Sequence, residues 1–161
     1  MRTFEFDREG AVSYARKWAK NRNPEYYNFD RIGGDCTNFA SQCLFAGCKT
    51  MNYQQTLGWY YNSIADRSPS WTGVDFLFDF ITKNQGVGVF AKLESIENAS
   101  IGDLIQLQNA SLKFYHTLII SKIQAGKIYV CAHTFDALDR PLESYNFYSF
   151  RLLHVLGYRK N

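Results

Sequence analysis

Apolar residues recur at Ala11, Ala15, Trp18 and Ala19, a spacing that predicts an amphipathic helix over Asp7–Lys20 with Asp7 as its N-cap. A second stripe, Phe39, Ala40, Cys43 and Leu44, predicts a helix from Cys36 to about Ala46, with Gly47 as its stop. Val74, Leu77, Phe78 and Ile81 predict a third, which starts near Thr72 and ends near Gly86; Thr72-x-x-Asp75 reads as a variant capping box. After Gly86 the period becomes extended. Strands are predicted at Val87–Leu93, Asp103–Gln108, Tyr115–Ile123, Lys127–His133 and Arg151–Tyr158, with breaks at Asn98, Gly102, Asn109 and Gly126. Helices followed by strands imply an α+β fold, N-terminal helices packed on a C-terminal antiparallel sheet of about five strands.

Composition narrows the class. The 161 residues make a one-domain length, and no Pro/Gly/Ser-rich linker divides them, so a single domain over 1–161 is expected. With 46% hydrophobic and 20% charged residues the chain can build a core, which excludes a disordered segment. No apolar run approaches the roughly 20 residues of a membrane-crossing helix. The start, MRTFEFDREG, lacks the apolar segment of a secretory signal. A net charge of +3, spread along the chain, is too diffuse to argue for nucleic acid. The aromatic content of 17% fits β-rich packing first, and a Tyr- and Trp-lined groove for sugar or peptide second.

The chemistry centres on one of four cysteines. None forms a C-x-x-C pair, which argues against zinc, and no disulfide framework is expected. Cys43 and Cys131 sit in apolar surroundings as small hydrophobes. Cys36 instead follows Gly33-Gly34-Asp35 at the first turn of a predicted helix. Unpaired N–H groups and the positive end of the helix dipole favour a thiolate there, and the Cys36 N–H can face a developing oxyanion. The alternative is a small residue packed behind an Asp N-cap.

A nucleophile needs a base, and there are three histidines. His154, between Leu153 and Val155, reads as structural. His116 starts one strand and His133 ends the next, so both lie at the open end of a hairpin around Gln124-Ala125-Gly126. Pairing Lys122 with Lys127 sets them directly opposite, and pairing Gln124 with Lys127 sets them diagonal on one face. A one-residue slip sends them to opposite faces. Two registers of three bring the imidazoles together.

These residues carry a resemblance. Gly34-Asp35-Cys36-Thr37-Asn38-Phe39, then Ser41-Gln42-Cys43-Leu44-Phe45-Ala46-Gly47, resembles the bacterial putative amidase domain family. Met51-Asn52-Tyr53, Gly58-Trp59-Tyr60, Ser70-Trp71-Thr72-Gly73-Val74, Gly102-Asp103-Leu104-Ile105 and Tyr115-His116-Thr117 extend it over nearly the whole chain. That family is similar to the NlpC-type and CHAP-type cell-wall hydrolases, which are papain-like cysteine peptidases. The resemblance implies a papain-like fold with Cys36 as nucleophile, His116 as general base and His133 as the polar residue that orients it. It implies hydrolysis of peptidoglycan amide bonds through a thioester, without metal or organic cofactor, and action at a cell wall or outside the cell. Thr37-Asn38 stands where the NlpC type has Ser-Gly. Either Tyr26 or Tyr27 matches an assisting tyrosine. Asp35, Trp59 and Trp71 join them as oxyanion or substrate candidates, the aromatic stretch from Tyr53 to Trp71 being either a substrate wall or a packed connection.

Three other readings compete. A transglutaminase-like acyltransferase would use a carboxylate, with Asp136 the rival to His133. A toxin could use the same triad to cleave or deamidate a host protein. A non-catalytic wall-binding module would use the Tyr and Trp alone. The expected partner is peptidoglycan or a peptide, and a monomer is expected.

Overall fold

A computed structural model describes all residues, Met1–Asn161. The chain runs β1 (Arg2–Phe4), α1 (Arg8–Trp18), α2 (Cys36–Cys48), a small hairpin β2 (Tyr61–Ser63) and β3 (Asp66–Arg67), α3 (Pro69–Thr72) and α4 (Val74–Lys83). Six strands follow: β4 (Gly88–Glu94), β5 (Leu104–Gln108), β6 (Phe114–Gln124), β7 (Lys127–Ala132), β8 (Ala137–Pro141) and β9 (Ser149–Lys160). This is α+β, with a seven-stranded antiparallel sheet in which β9, β5, β6, β7 and β8 are successive neighbours. β4 runs along most of β9, so β5 and β1 share the opposite edge of that strand.

Both faces of the sheet are covered. The helices close one face over a core that includes Ala11, Phe39, Leu44, Leu77, Ile81, Leu104, Ile119, Cys131 and Leu153. Residues one position away in each strand, Ile105, Leu118, Val130 and Leu152, form a second core with Leu142, Tyr145 and Phe147. Strand alternation thus assigns every side chain of β5, β6 and β7 to one of two chemically separate faces.

The predicted elements are present, with local corrections. Asp7 caps α1, its carboxylate accepting from the Gly10 N–H at 2.9 Å. The expected Thr72-x-x-Asp75 box does not form. Gly73 is the N-cap of α4 without a side-chain cap, Thr72 Oγ1 accepts from Arg67, and Asp75 pairs with Arg151. Gly47 does not stop α2 either: the helix continues to Cys48 and closes through a left-handed Lys49. A side chain at Gly47 would meet the Phe6 ring at 2.4 Å, so this glycine serves packing. The strands β1 and β8 and the β2–β3 hairpin fall in segments without an apolar alternation to announce them.

Candidate active site

Asp35 is the residue around which the site is built. Buried before α2, it makes no cap bond to that helix. Its Oδ1 accepts from the Phe29 N–H (2.8 Å) and the Asn38 amide (2.9 Å), and its Oδ2 meets His133 Nδ1 at 2.5 Å. His133 Nε2 donates to the Trp18 carbonyl at 2.7 Å, and the ring stacks on Phe39 at 3.9 Å. Both ring nitrogens of His133 and both carboxylate oxygens of Asp35 thus find partners within the fold. Arg22 adds a contact at 3.6 Å to Asp35 and binds Asp30 and Asp136 through its guanidinium.

Turning the Asp35 side chain away has a consequence for α2. The first-turn N–H groups of Cys36, Thr37 and Asn38 take no acceptor from the fold. Cys36 Sγ lies among them, 3.8 Å from Thr37 Oγ1 and within reach of the Thr37 and Thr117 N–H groups. Thr37 and Thr117 are themselves joined at 2.9 Å, which docks the helix start onto β6. Burial pushes the Cys36 thiol up despite these donors.

His116 points the other way. Thr117 faces α2, so its neighbour occupies the opposite face, beside Tyr145 (6.2 Å between centroids) and Tyr115 (6.1 Å). There burial, with the Arg140 charge as a lesser cause, lowers its pKa to about 4. A β-bulge lies next to it, on the side away from Thr117. Leu107 pairs with His116 but Gln108 pairs with Phe114, leaving Tyr115 as the extra residue.

The expected meeting of His116 and His133 does not occur, and a second bulge is the reason. The hairpin begins with Gln124 paired to Lys127, but the register shifts at Ser121 so that Ile120 pairs with Val130 and Ile119 with Cys131. Continued, this sets His133 opposite Thr117, on the helix face, away from His116. This bulge therefore leaves His133, with Cys36 and Asp35, on one face and His116 on the other. The role expected of His133, orienting His116, is replaced by its bonds to Asp35 and the Trp18 carbonyl.

The remaining candidates divide in the same way. Trp59 and Trp71 are fully buried, so neither lines a solvent-facing wall; their indole N–H groups donate to Ser41 Oγ and Asn38 Oδ1. Tyr26 packs on Trp71 and Tyr61, and burial lifts its hydroxyl to about 12. Tyr27 is more exposed and edges Phe29. Asp136 is held by Arg22 at 2.8 and 3.0 Å, away from His116. His154 binds Asp103 at 2.7 Å, as a structural histidine. Sequence reasoning missed Arg22 and Thr117. Arg22 sits in a loop without periodicity, whereas Thr117 was open to inference from its place beside His116. All four cysteines are free and buried. No helix is long and apolar enough to cross a membrane.

Comparison with known proteins agrees with this arrangement of motifs. The family model described as "Putative amidase domain" matches residues 5–155. "Uncharacterized protein YhbB" of Bacillus subtilis (strain 168) is 33% identical over 143 residues, covering 86% of this chain and 45% of that relative. "Uncharacterized protein YjcM" of the same organism is 29% identical, covering 83% of this chain and 32% of that relative. The chain thus spans less than half the length of these curated relatives. No solved structure matches.

Proposed function

The chain belongs to the Putative amidase domain family, and on that premise we propose that it is a cysteine-dependent hydrolase of peptidoglycan amide bonds. The observation that carries this reading is Cys36 itself: a thiol in the first turn of α2, beside unspent N–H groups, against the residue that follows His116. Cys36 is the nucleophile and His116 the general base. The N–H groups at the start of α2 are the donors for the tetrahedral oxygen. His116 takes the thiol proton, the thiolate attacks the amide carbonyl, and the imidazolium gives its proton to the leaving amine. Water then hydrolyses the thioester.

This chemistry requires His116 on the helix face. The bulge supplies a route. The two residues of a bulge opposite a single partner turn their side chains to about the same side. The bulge now lies at Tyr115-His116, with His116 beside Tyr145; the hydrolase reading requires it to move one residue along, to His116-Thr117, which would turn the imidazole towards Thr117 and Cys36. The peptidoglycan substrate and the kinship with papain-like wall hydrolases rest on the motif resemblance. The competing reading, a non-catalytic binding domain, is favoured by one observation, the separation of Cys36 from His116.

Digestion of purified peptidoglycan, with mass spectrometry of the fragments, separates the two. Newly freed amines that vanish in Cys36→Ala, and fall at least about 10²-fold in His116→Ala, support the hydrolase. An intact wall after prolonged incubation, or full activity in Cys36→Ala, overturns it.

A further inference from the structure

A cavity of about 600 Å3 lies away from Cys36, between the loop that precedes Trp59 and the end of α4. That volume is in the range of small-molecule sites. Its walls are fixed by two asparagines. Asn52 donates to the Val87 carbonyl and accepts from the Gln54 N–H. Asn84 donates to the Val87 and Val89 carbonyls and accepts from the Gly86 N–H. Gly58 closes the loop: a side chain there would lie 2.2 Å from the Asn52 carbonyl oxygen. The cavity is therefore built before any ligand arrives.

Its free chemistry is different. Gln54 and Gln85 are exposed at the cavity, and neither carboxamide has a partner in the fold, so each offers two donors and an acceptor. The only charged residues of the lining, Asp79 and Lys83, neutralise each other at 3.2 Å. Phe76, 61% exposed, and Leu57, 70% exposed, add apolar surface. The Phe76 ring lies back over Gly73, where a side chain would meet it at 2.8 Å, and it also lines a second cavity of about 370 Å3. One ring thus stands between two concavities.

We propose that this cavity binds a neutral saccharide bearing acetamido groups. The two charges of the lining are paired with each other, so no free charge offsets the desolvation of an anionic or cationic ligand. Paired carboxamides match both the hydroxyls and the amide of an acetamido sugar, Leu57 suits its methyl, and the exposed Phe76 ring suits the apolar face of a pyranose. The second concavity beyond Phe76 favours an oligomer over a single sugar. The inference draws on the wall-amide reading only for the kind of sugar, and the cavity shares no lining residue with the surroundings of Cys36.

The test is an NMR titration of the intact chain with tri-N-acetylchitotriose and, separately, maltotriose. Chitotriose shifts the side-chain amide signals of Gln54 and Gln85, with a Kd at or below the millimolar range, and Phe76→Ala weakens it at least tenfold. Both Gln54→Ala and Phe76→Ala change exposed side chains, and a thermal melt checks that each stays folded; either variant suffices as the control. No shift at 10 mM chitotriose, equal binding of maltotriose, or affinity unchanged in a folded variant overturns the proposal. Because no hydrolysis is read, failure here leaves the assignment of Cys36 standing, and a failed digestion leaves this one standing.

Discussion

Burial acts on Cys36 and His116 in opposite senses: it lifts the thiol and lowers the imidazole to about 4. Between pH 5 and 8 the free protein thus holds a thiol and a neutral imidazole, with no preformed ion pair. The donors at the helix N-terminus favour the anion, but burial disfavours it more strongly. Desolvation wins. Iodoacetamide should therefore label Cys36 at a rate that keeps climbing from pH 7 to 10; a plateau near pH 6–7 would reveal an ion pair and refute this. The same burial makes His116 an acid-sensitive element. Its folded pKa lies below the ordinary 6.5, so the unfolded chain binds the proton first as pH falls. Stability should hold above pH 6.5 and decline towards pH 4, by an upper bound of roughly 3 kcal/mol. Urea unfolding of His116→Leu against the parent, at pH 7 and pH 4.5, measures it: the variant should lose less on acidification.

At the scale of elements, His133 ties the end of α1 to the start of α2 through Trp18, Asp35 and Phe39. His133→Ala removes one partner of a buried pair and leaves Asp35 Oδ2 with only the 3.6 Å contact to Arg22, which costs roughly 3–5 kcal/mol. Asp136→Ala removes a partly exposed contact of Arg22 and should cost within about 1 kcal/mol. Urea midpoints of the two variants test the ranking. A stable His133→Ala protein that has lost only turnover would return His133 to the role of orienting His116. The turn after β7 belongs to the same assembly. Thr134 and Phe135 both have positive φ, and Thr134 Oγ1 accepts from the Asp35 N–H at 2.9 Å.

For the whole molecule, Asp103 joins distant parts of the chain. Fully buried, its carboxylate accepts from Arg8 at the start of α1 (2.8 Å) and from the Val155 N–H (3.0 Å) and Ser100 N–H (2.9 Å), and meets His154 at 2.7 Å. It links the first helix to the strands at the sheet centre. Asp103→Ala leaves His154 Nδ1 and the Val155 and Ser100 N–H groups without their acceptor, while Arg8 keeps the Ile101 and Val155 carbonyls, and should lower stability by roughly 3–5 kcal/mol, a large share of the 5–15 kcal/mol of an ordinary domain. A urea midpoint within error of the parent would show that Arg8 and His154 find other partners.

Local periodicity was enough to determine the main helices, five of the sheet strands, Asp7 as a cap and Cys36 at a helix start, because side-chain direction repeats every 3.6 or 2 residues along an unbroken element. It also determined that Cys43 and Cys131 are buried, since each lies on an apolar stripe. Tertiary structure alone decided which face each histidine occupies. A bulge adds one residue without changing the apolar character of its neighbours, so Ser121 reads as an ordinary strand position, yet it reverses the alternation that relates His116 to His133. The partners of Asp35 were equally out of reach of local pattern, because Phe29, Asn38 and His133 converge on it from a loop, a helix and the end of a strand, and the last of these contacts spans 98 residues.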